Sequence, residues 1–367
     1  MQPPLRILHL THASDAGGLS RYILDLSLAC RARGLDVAVA GDRGAWHDRF
    51  EAAGLPYHVV PLNRGVVGFL AAARSLRRRL AEQPVDVLHS HYRRATLLGR
   101  RLQAGKAPPL LYTLHLSHIS LAGPRRWLTD FGDHTHAASE DARRWLLDAG
   151  RVPPGRISLI PHGLDPSRFT PATPGQRAEA RKALNVPPDA RLGVYVGRLD
   201  YPKNEHWLLD VAQAARGKVP NLHLLLVGEG PNHARLAKQV LDRGLDKSVR
   251  LTGPLDVSGV YHAADALLLP SLREGFSYVC CEAMAAGVPC LRTRTSGTAE
   301  MIVENVTGRS TPIDHDAFVA AAVEFLADEP ALRRMGHAAA DHVRAHLTFD
   351  RQVAETVALY ETLAGRR

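Results

Sequence analysis

Residues 6–29 read Arg-Ile-Leu-His-Leu-Thr-His-Ala-Ser-Asp-Ala-Gly-Gly-Leu-Ser-Arg-Tyr-Ile-Leu-Asp-Leu-Ser-Leu-Ala. The run 6–10 is apolar and of strand length, whereas Tyr22, Ile23, Leu26 and Ala29 recur at the spacing of one helix face. Between them lies Asp15-Ala16-Gly17-Gly18-Leu19-Ser20-Arg21. Its paired glycines let backbone N–H groups approach a phosphate or sugar closely, at a helix start that favours negative charge. Many strand-to-helix turns hold Gly-Gly for steric reasons alone, so the stretch defines a β-α unit before it defines a site. The unit repeats outward. Strand-like runs fall at 36–40, 57–60, 85–89, 110–114, 135–138 and 157–160, then at 192–196, 223–227, 249–252, 266–269 and 289–292. Strands alternating with helical patterns across short connections predict parallel sheets covered on both faces. Residues 161–188 hold six prolines and separate the two series. The expected architecture is α/β: two doubly wound, Rossmann-like parallel-sheet domains facing across a cleft. Ligands of such sheets bind at the loops after strand C-termini.

The 367 residues suit two domains, and 45% hydrophobic with 23% charged residues excludes disorder, collagen-like sequence and a coiled coil. The longest uncharged apolar run, 66–73, is far short of the about 20 residues that span a bilayer. A strand beginning so close to Met1 predicts no signal peptide. Cys30, Cys280, Cys281 and Cys290 show no C-x-x-C spacing and read as buried thiols in a reducing cytoplasm, with adjacent Cys280 and Cys281 as a redox alternative. Neither His89-Ser90-His91 nor His134-Thr135-His136 has a metal-ligand spacing, so no metal is expected. The net charge of +9 lies entirely within residues 1–170, which carry 23 basic and 14 acidic side chains. That asymmetry points to an anionic partner: acidic lipid, phosphorylated acceptor or nucleic acid. The arginine excess in an alanine-rich chain is also what a GC-rich genome produces. Nucleic acid is disfavoured, because no recognised module and no aromatic-basic interleaving is present.

Three further motifs bear on chemistry. Gly228-Glu229-Gly230-Pro231 follows a strand but lacks the third glycine and the later acidic residue of a dinucleotide site, so a dehydrogenase is excluded. In Val196-Gly197-Arg198-Leu199-Asp200-Tyr201-Pro202-Lys203 a strand ends, glycine turns the chain and two cations follow five residues apart. Arg198 offers a fork for two phosphate oxygens and Lys203 a compact second charge; the bland reading is two solvated loop charges. The most specific stretch runs Arg273-Glu274-Gly275-Phe276-Ser277-Tyr278-Val279-Cys280-Cys281-Glu282-Ala283-Met284-Ala285-Ala286-Gly287-Val288-Pro289. With a helix starting near Ser277, Glu274 lies in the preceding loop and Glu282 inside the helix, about 10 Å away. That span matches a diphosphate linking two sugars, and each carboxylate can accept from vicinal hydroxyls. Singly, either glutamate could equally be a helix cap or a surface residue.

This last stretch resembles the E-x7-E signature of the retaining nucleotide-sugar glycosyltransferases of family 4, which have the GT-B fold. The likeness extends over nearly the whole chain: Gly17-Gly18 to the N-terminal glycine loop, Ile160-Pro161-His162-Gly163-Leu164-Asp165 to the interdomain segment, Arg198 through Lys203 to the G-R-x4-K phosphate site, and Gly228 to Pro231 to the V-G-x-G-P turn. The resemblance implies an acceptor domain over 1–168 plus a C-terminal helix within about 347–367, and a donor domain over 169–346. Glu274 would bind donor-sugar hydroxyls, aided by N–H groups of Gly275, Phe276 and Ser277. Glu282 would hold the ribose, Arg198 and Lys203 would neutralise the departing diphosphate, and His115 would face the sugar. Ser296, Gly297 and Thr298 would complete the donor site. Three positions depart from the family pattern: Ser296 and Asn204 stand where glycine is usual, and Ser277 replaces the commoner glycine. The implied reaction moves a sugar with retention from a nucleoside diphosphate sugar, UDP first and GDP second, to a hydroxyl of a glycan, lipid-linked or natural-product acceptor. It needs no metal or other cofactor. The alternatives are a sugar-nucleotide epimerase of the same fold and a non-catalytic nucleotide-sugar binder. Residues 64–79 place Val66, Val67, Phe69 and Leu70 before Arg74, Arg77, Arg78 and Arg79, a pattern of an interfacial helix on anionic lipid or of a solvated outer helix. Localisation is expected to be cytoplasmic, with peripheral membrane contact on the inner face. Residues 349–363 read as an amphipathic helix that, by resemblance, returns to the N-terminal domain and couples closure.

Overall fold

In the computed structural model, which describes residues 3–11, 18–103, 108–219 and 221–366, strands and helices alternate along most of the chain. The first unit comprises residues 1–161 and 352–367, the second residues 162–351. The sequence reading set these limits at 168 and 346.

The first unit contains β1 (Arg6–Leu10), α1 (Gly18–Ala32), β2 (Asp36–Gly41), α2 (His47–Ala52), β3 (Tyr57–Val59), α3 (Gly65–Glu82), β4 (Val87–Ser90), α4 (Arg93–Leu102), β5 (Leu110–Leu114), β6 (His134–Ala137), α5 (Glu140–Asp148) and β7 (Ile157–Leu159). All pairings are parallel, in the order β3-β2-β1-β4-β5-β6-β7. The direction of winding reverses between β1 and β4, whose register sets His9 opposite His89. Central strands are buried along their whole length because helices cover both faces, which is why they read as continuous apolar runs.

The second unit contains α6 (Pro174–Ala183), β8 (Arg191–Val196), α7 (Trp207–Ala214), β9 (Leu222–Val227), α8 (His233–Asp242), β10 (Val249–Gly253), α9 (Val257–Ala263), β11 (Ala266–Leu269), α10 (Tyr278–Ala285), β12 (Cys290–Thr293), α11 (Thr298–Met301), β13 (Gly308–Thr311), α12 (His315–Ala327) and α13 (Glu329–His346). The last helix, α14 (Phe349–Leu363), starts in this unit and ends in the first. Strand order is β10-β9-β8-β11-β12-β13, again parallel, with the reversal between β8 and β11. The proline-rich stretch is more than a spacer: it contains α6, started by a Thr173–Gln176 capping box with Pro174 at the first helical position. Arg181 of α6 is buried and meets Asp265 at 2.9 Å, and Asp265 also accepts from the Leu192 N–H at 2.7 Å. Thus α6 is pinned to the starts of β8 and β11.

Candidate active site

Two loops leave the β8/β11 reversal, the place where open α/β sheets bind ligands. The loop after β8 is shaped by close backbone approach. Gly228 has φ +141°, and a Cβ there would lie 1.9 Å from the Gly197 carbonyl oxygen; one on Gly230 would lie 2.3 Å from that of Leu199. Two bonds donated by the first turn hold it to the second, Gly197 N–H to Val227 C=O at 3.0 Å and Leu199 N–H to Glu229 C=O at 2.8 Å. The buried Tyr195 hydroxyl donates to the Arg198 carbonyl at 2.6 Å. Arg198 itself points outward, 76% exposed, and pairs with Asp200. Asn204 adopts φ +52°, a left-handed conformation that asparagine tolerates better than other residues with a side chain, which is how this chain dispenses with glycine there.

The loop after β11 is tied to the first by the Leu272 N–H, which donates to the Pro202 carbonyl at 2.8 Å. As a result Lys203 Nζ lies 2.7 Å from Glu274 Oε1, so the expected phosphate cation and the expected sugar acceptor form one partly buried ion pair. Gly275 and buried Phe276 follow, and Ser277 caps α10, its hydroxyl accepting from the Cys280 N–H at 3.4 Å. The serine that stands where glycine is commoner is therefore a helix cap. Glu282, half-buried in α10, accepts from the buried Tyr261 hydroxyl at 3.2 Å. The residue 295–298 turn closes the group. A Cβ on Gly297 would sit 3.3 Å from the Gly275 carbonyl oxygen, and Gly297 has φ +79°. The Thr298 hydroxyl is committed to the Thr295 carbonyl at 2.7 Å, and Ser296 is buried.

Among the other expected residues, Gly17 lies outside the described residues, Gly18 opens α1, and His115 follows β5 in the first unit. His115 belongs to a polar ladder that composition alone did not reveal. Tyr360 of α14 meets His89 Nδ1 at 2.6 Å, His89 Nε2 meets Thr113 Oγ1 at 2.6 Å, Thr113 meets His136 Nδ1 at 3.0 Å, and His136 Nε2 meets the Ile160 carbonyl at 2.7 Å. A carbonyl only accepts, so His136 carries its proton on Nε2. Thr113 then donates to His136 Nδ1, His89 donates through Nε2, and Tyr360 donates to His89 Nδ1. Burial holds His136 down to about 4 and keeps His89 well below the ordinary value, so both are neutral. A second chain runs His9 Nδ1–His91 Nε2 at 2.8 Å and His91 Nδ1–His115 Nε2 at 3.0 Å. Burial pushes His9 and His115 down to about 3, so His115 is a neutral hydrogen-bonding group. Nitrogens of His9, His89 and His91 lie within 4.8 Å of one another. The ladder, however, spends the His89 Nδ1 lone pair on Tyr360 and protonates Nε2, which leaves His89 nothing to give a metal.

Two parallel α/β sheets in one chain, the second carrying Lys203, Glu274 and Glu282 on the loops and helix that follow its strands at the reversal, are the construction of GT-B glycosyltransferases. A glycosyltransferase from Rickettsia africae superposes with a TM-score of 0.85 over 99% of both chains at 17% identity. The Anabaena protein HepE, in complex with UDP, does so at 0.82 over 97% of this chain and 99% of its own at 22% identity. A model of glycosyltransferase family 4 matches residues 16–168, and one of glycosyl transferases group 1 matches residues 176–342. The chain belongs to glycosyltransferase family 4 and is a glycosyltransferase. It is 29% identical to a D-inositol 3-phosphate glycosyltransferase of Pseudarthrobacter chlorophenolicus over 96% of this chain and 92% of that protein. It is 28% identical to one from Mycolicibacterium gilvum over 89% and 81%.

Proposed function

We propose that the protein transfers a sugar from a nucleoside diphosphate sugar, with UDP the first candidate, to a hydroxyl of a phosphate-bearing acceptor, with retention at the anomeric carbon and without a metal. The observation that carries the donor site is the Lys203–Glu274 pair at the β8/β11 reversal. A diphosphate carries enough negative charge to draw Lys203 from its carboxylate partner. The released Glu274 is then an acceptor-only group with two oxygens for sugar hydroxyls. Arg198, exposed and paired with Asp200, turns to the same phosphates, and Glu282 with Tyr261 receives the ribose. Gly275, Phe276, Ser277, Ser296, Gly297 and Thr298 line the phosphates and sugar, while Gly17 and Gly18 are assigned to donor binding by the family resemblance alone. Loss of a nucleoside diphosphate demands stabilisation of the leaving group, which fixed cations supply electrostatically. The acceptor hydroxyl attacks from the leaving-group face and passes its proton to the departing phosphate oxygen. His115 is assigned to the donor sugar by the family resemblance alone, and burial keeps it neutral, so its part would be a hydrogen bond rather than a charge.

The UDP complex of the Anabaena neighbour supports the base. The relatives named for D-inositol 3-phosphate, together with the +9 charge of residues 1–170, support an anionic acceptor. The test is turnover of UDP-sugars with inositol phosphates, read by nucleotide release and by NMR of the product anomer. Retained configuration is expected; an inverted anomer refutes the mechanism.

An anionic membrane as a second contact is favoured by α3, where Val66 and Val67 are 75% and 81% exposed ahead of exposed Arg74, Arg78 and Arg79. Cosedimentation with acidic liposomes, lost in Val66→Asp/Val67→Asp, is the expected result. No binding at low salt sinks it. Among the described residues no helix is long and apolar enough to cross a membrane.

A further inference from the structure

Arg292 is the third residue of β12 and is 1% exposed. Its guanidinium donates to the Thr295 hydroxyl at 2.7 Å and the Ser296 carbonyl at 3.2 Å, and lies 3.2 Å from the Met301 sulfur. These three partners are neutral, the Cys280 thiol also lies against it, and among the described residues no carboxylate pairs with it. A cation moved from water to a protein interior without a counter-charge costs several kcal/mol. Such a residue persists where an opposite charge arrives with a ligand or where a neighbour ionises.

The position of Arg292 says where that charge would come from. The two groups it holds, Thr295 and Ser296, belong to the turn whose Gly297 packs on Gly275 and Phe276, next to Glu274. The adjoining Thr293 hydroxyl donates to the Ser271 carbonyl, at the start of the same β11 loop. In the unliganded site Lys203 and Glu274 pair with each other, whereas among the described residues no carboxylate lies within ion-pair distance of Arg292 beside the turn.

We propose that Arg292 is a third cation of the donor site: the diphosphate of the bound nucleotide supplies its missing counter-charge, and Arg292 acts as a positioning residue through the 295–298 turn rather than by contact. This rests on the donor-site reading above. The competing counter-charge is the Cys280 thiol, drawn towards ionisation by a hydrogen bond from the Cys290 thiol and by Arg292 itself.

The two explanations differ in sign. If the ligand supplies the charge, Arg292→Met leaves the unliganded protein as stable as wild type or more so, because an apolar side chain of similar volume replaces an unpaired buried ion. The same variant binds UDP and inorganic pyrophosphate about tenfold more weakly or worse, equivalent to about 1.4 kcal/mol, and Arg292→Lys restores part of the affinity. Melting curves and calorimetric titration read both quantities. Unchanged UDP affinity in Arg292→Met overturns the inference. So does a loss of unliganded stability accompanied by a thiolate absorbance that disappears in Cys280→Ala, because Cys280 would then be the partner. If wild type binds neither pyrophosphate nor any of UDP, GDP and ADP, the donor reading itself falls and takes this inference with it.

Discussion

The geometry of the loop that carries Arg198 and Lys203 makes Gly228→Ala a quantitative test. The new Cβ meets two separate obstacles. One is the backbone: φ +141° is a conformation that side-chain-bearing residues avoid, at a cost of about 1–2 kcal/mol. The other is the Gly197 carbonyl oxygen 1.9 Å away, which must be pushed back, at about 1–3 kcal/mol for forced overpacking. The sum is about 2–5 kcal/mol. At roughly 2–4 °C per kcal/mol for a domain of this size, the second unit should melt about 10 °C lower. Gly217→Ala isolates the first cost, because Gly217 has φ +83° and nothing within 4 Å of its would-be Cβ; it should lose only about 3–5 °C. Displacing Gly197 also shifts Arg198 and Lys203, so Gly228→Ala should bind UDP weakly even below its melting temperature, while Gly217→Ala binds normally. Differential scanning calorimetry and UDP titration of both variants provide the check. If Gly228→Ala melts with Gly217→Ala and binds UDP like wild type, the close approach of the two turns is not what shapes the site.

Acid should weaken the first unit through its buried histidines. His9 and His115 are held near 3 and His136 near 4 in the folded state, against about 6.5 unfolded. The unfolded chain therefore binds more protons below that value, and stability present above pH 6.5 is lost as pH falls, by up to about 1.4 kcal/mol per pH unit for each such histidine. A melting temperature that stays flat between pH 6.5 and 4.5 contradicts this. Tyr360→Phe removes the donor to His89 Nδ1 and should cost about 1–3 kcal/mol. Combined with Thr113→Val it should be clearly less than additive, and full additivity by denaturant titration would break the ladder into unrelated bonds. Asn204→Ala should lose about 1 kcal/mol because alanine resists the left-handed region, whereas Asn204→Gly should be close to neutral; equal stability of all three proteins refutes the assignment.

Most strands were legible because both faces of a parallel sheet are covered, so they read as apolar runs, several of them closed by glycine or proline such as Gly197, Gly228 and Pro270. The exception is instructive. Strand β13, Gly-Arg-Ser-Thr, lies at the edge of its sheet and carries no apolar run, so its pairing with β12 exists only in the fold. Register blurred some ends as well: residues 85–89 suggested a strand where β4 runs Val87–Ser90, with Asp86 joined to β1 just before it, its N–H donating to the Arg6 carbonyl and its carboxylate accepting from the Arg6 N–H, each at 2.8 Å. Of the site, motif spacing exposed Arg198, Lys203, Glu274 and Glu282 as residues of interest. It could not show that Lys203 and Glu274, 71 positions apart, form one ion pair. Nor could it show the histidine ladder, since His9, His89, Thr113 and His136 come from four strands and Tyr360 from the last helix. One signal was available for Arg292: an arginine inside the apolar sequence Val-Pro-Cys-Leu-Arg-Thr is out of place unless something needs its charge.

The central claim is a nucleoside diphosphate sugar site in the second unit, and thermal stabilisation tests it most directly. Wild type and Glu282→Ala should be melted with UDP-, GDP-, ADP- and TDP-sugars, since a ligand that binds only the native state raises its stability by mass action. The account predicts a shift with one nucleotide, UDP first, that shrinks in the variant. No shift with any of the four, or a shift that Glu282→Ala leaves intact, contradicts it.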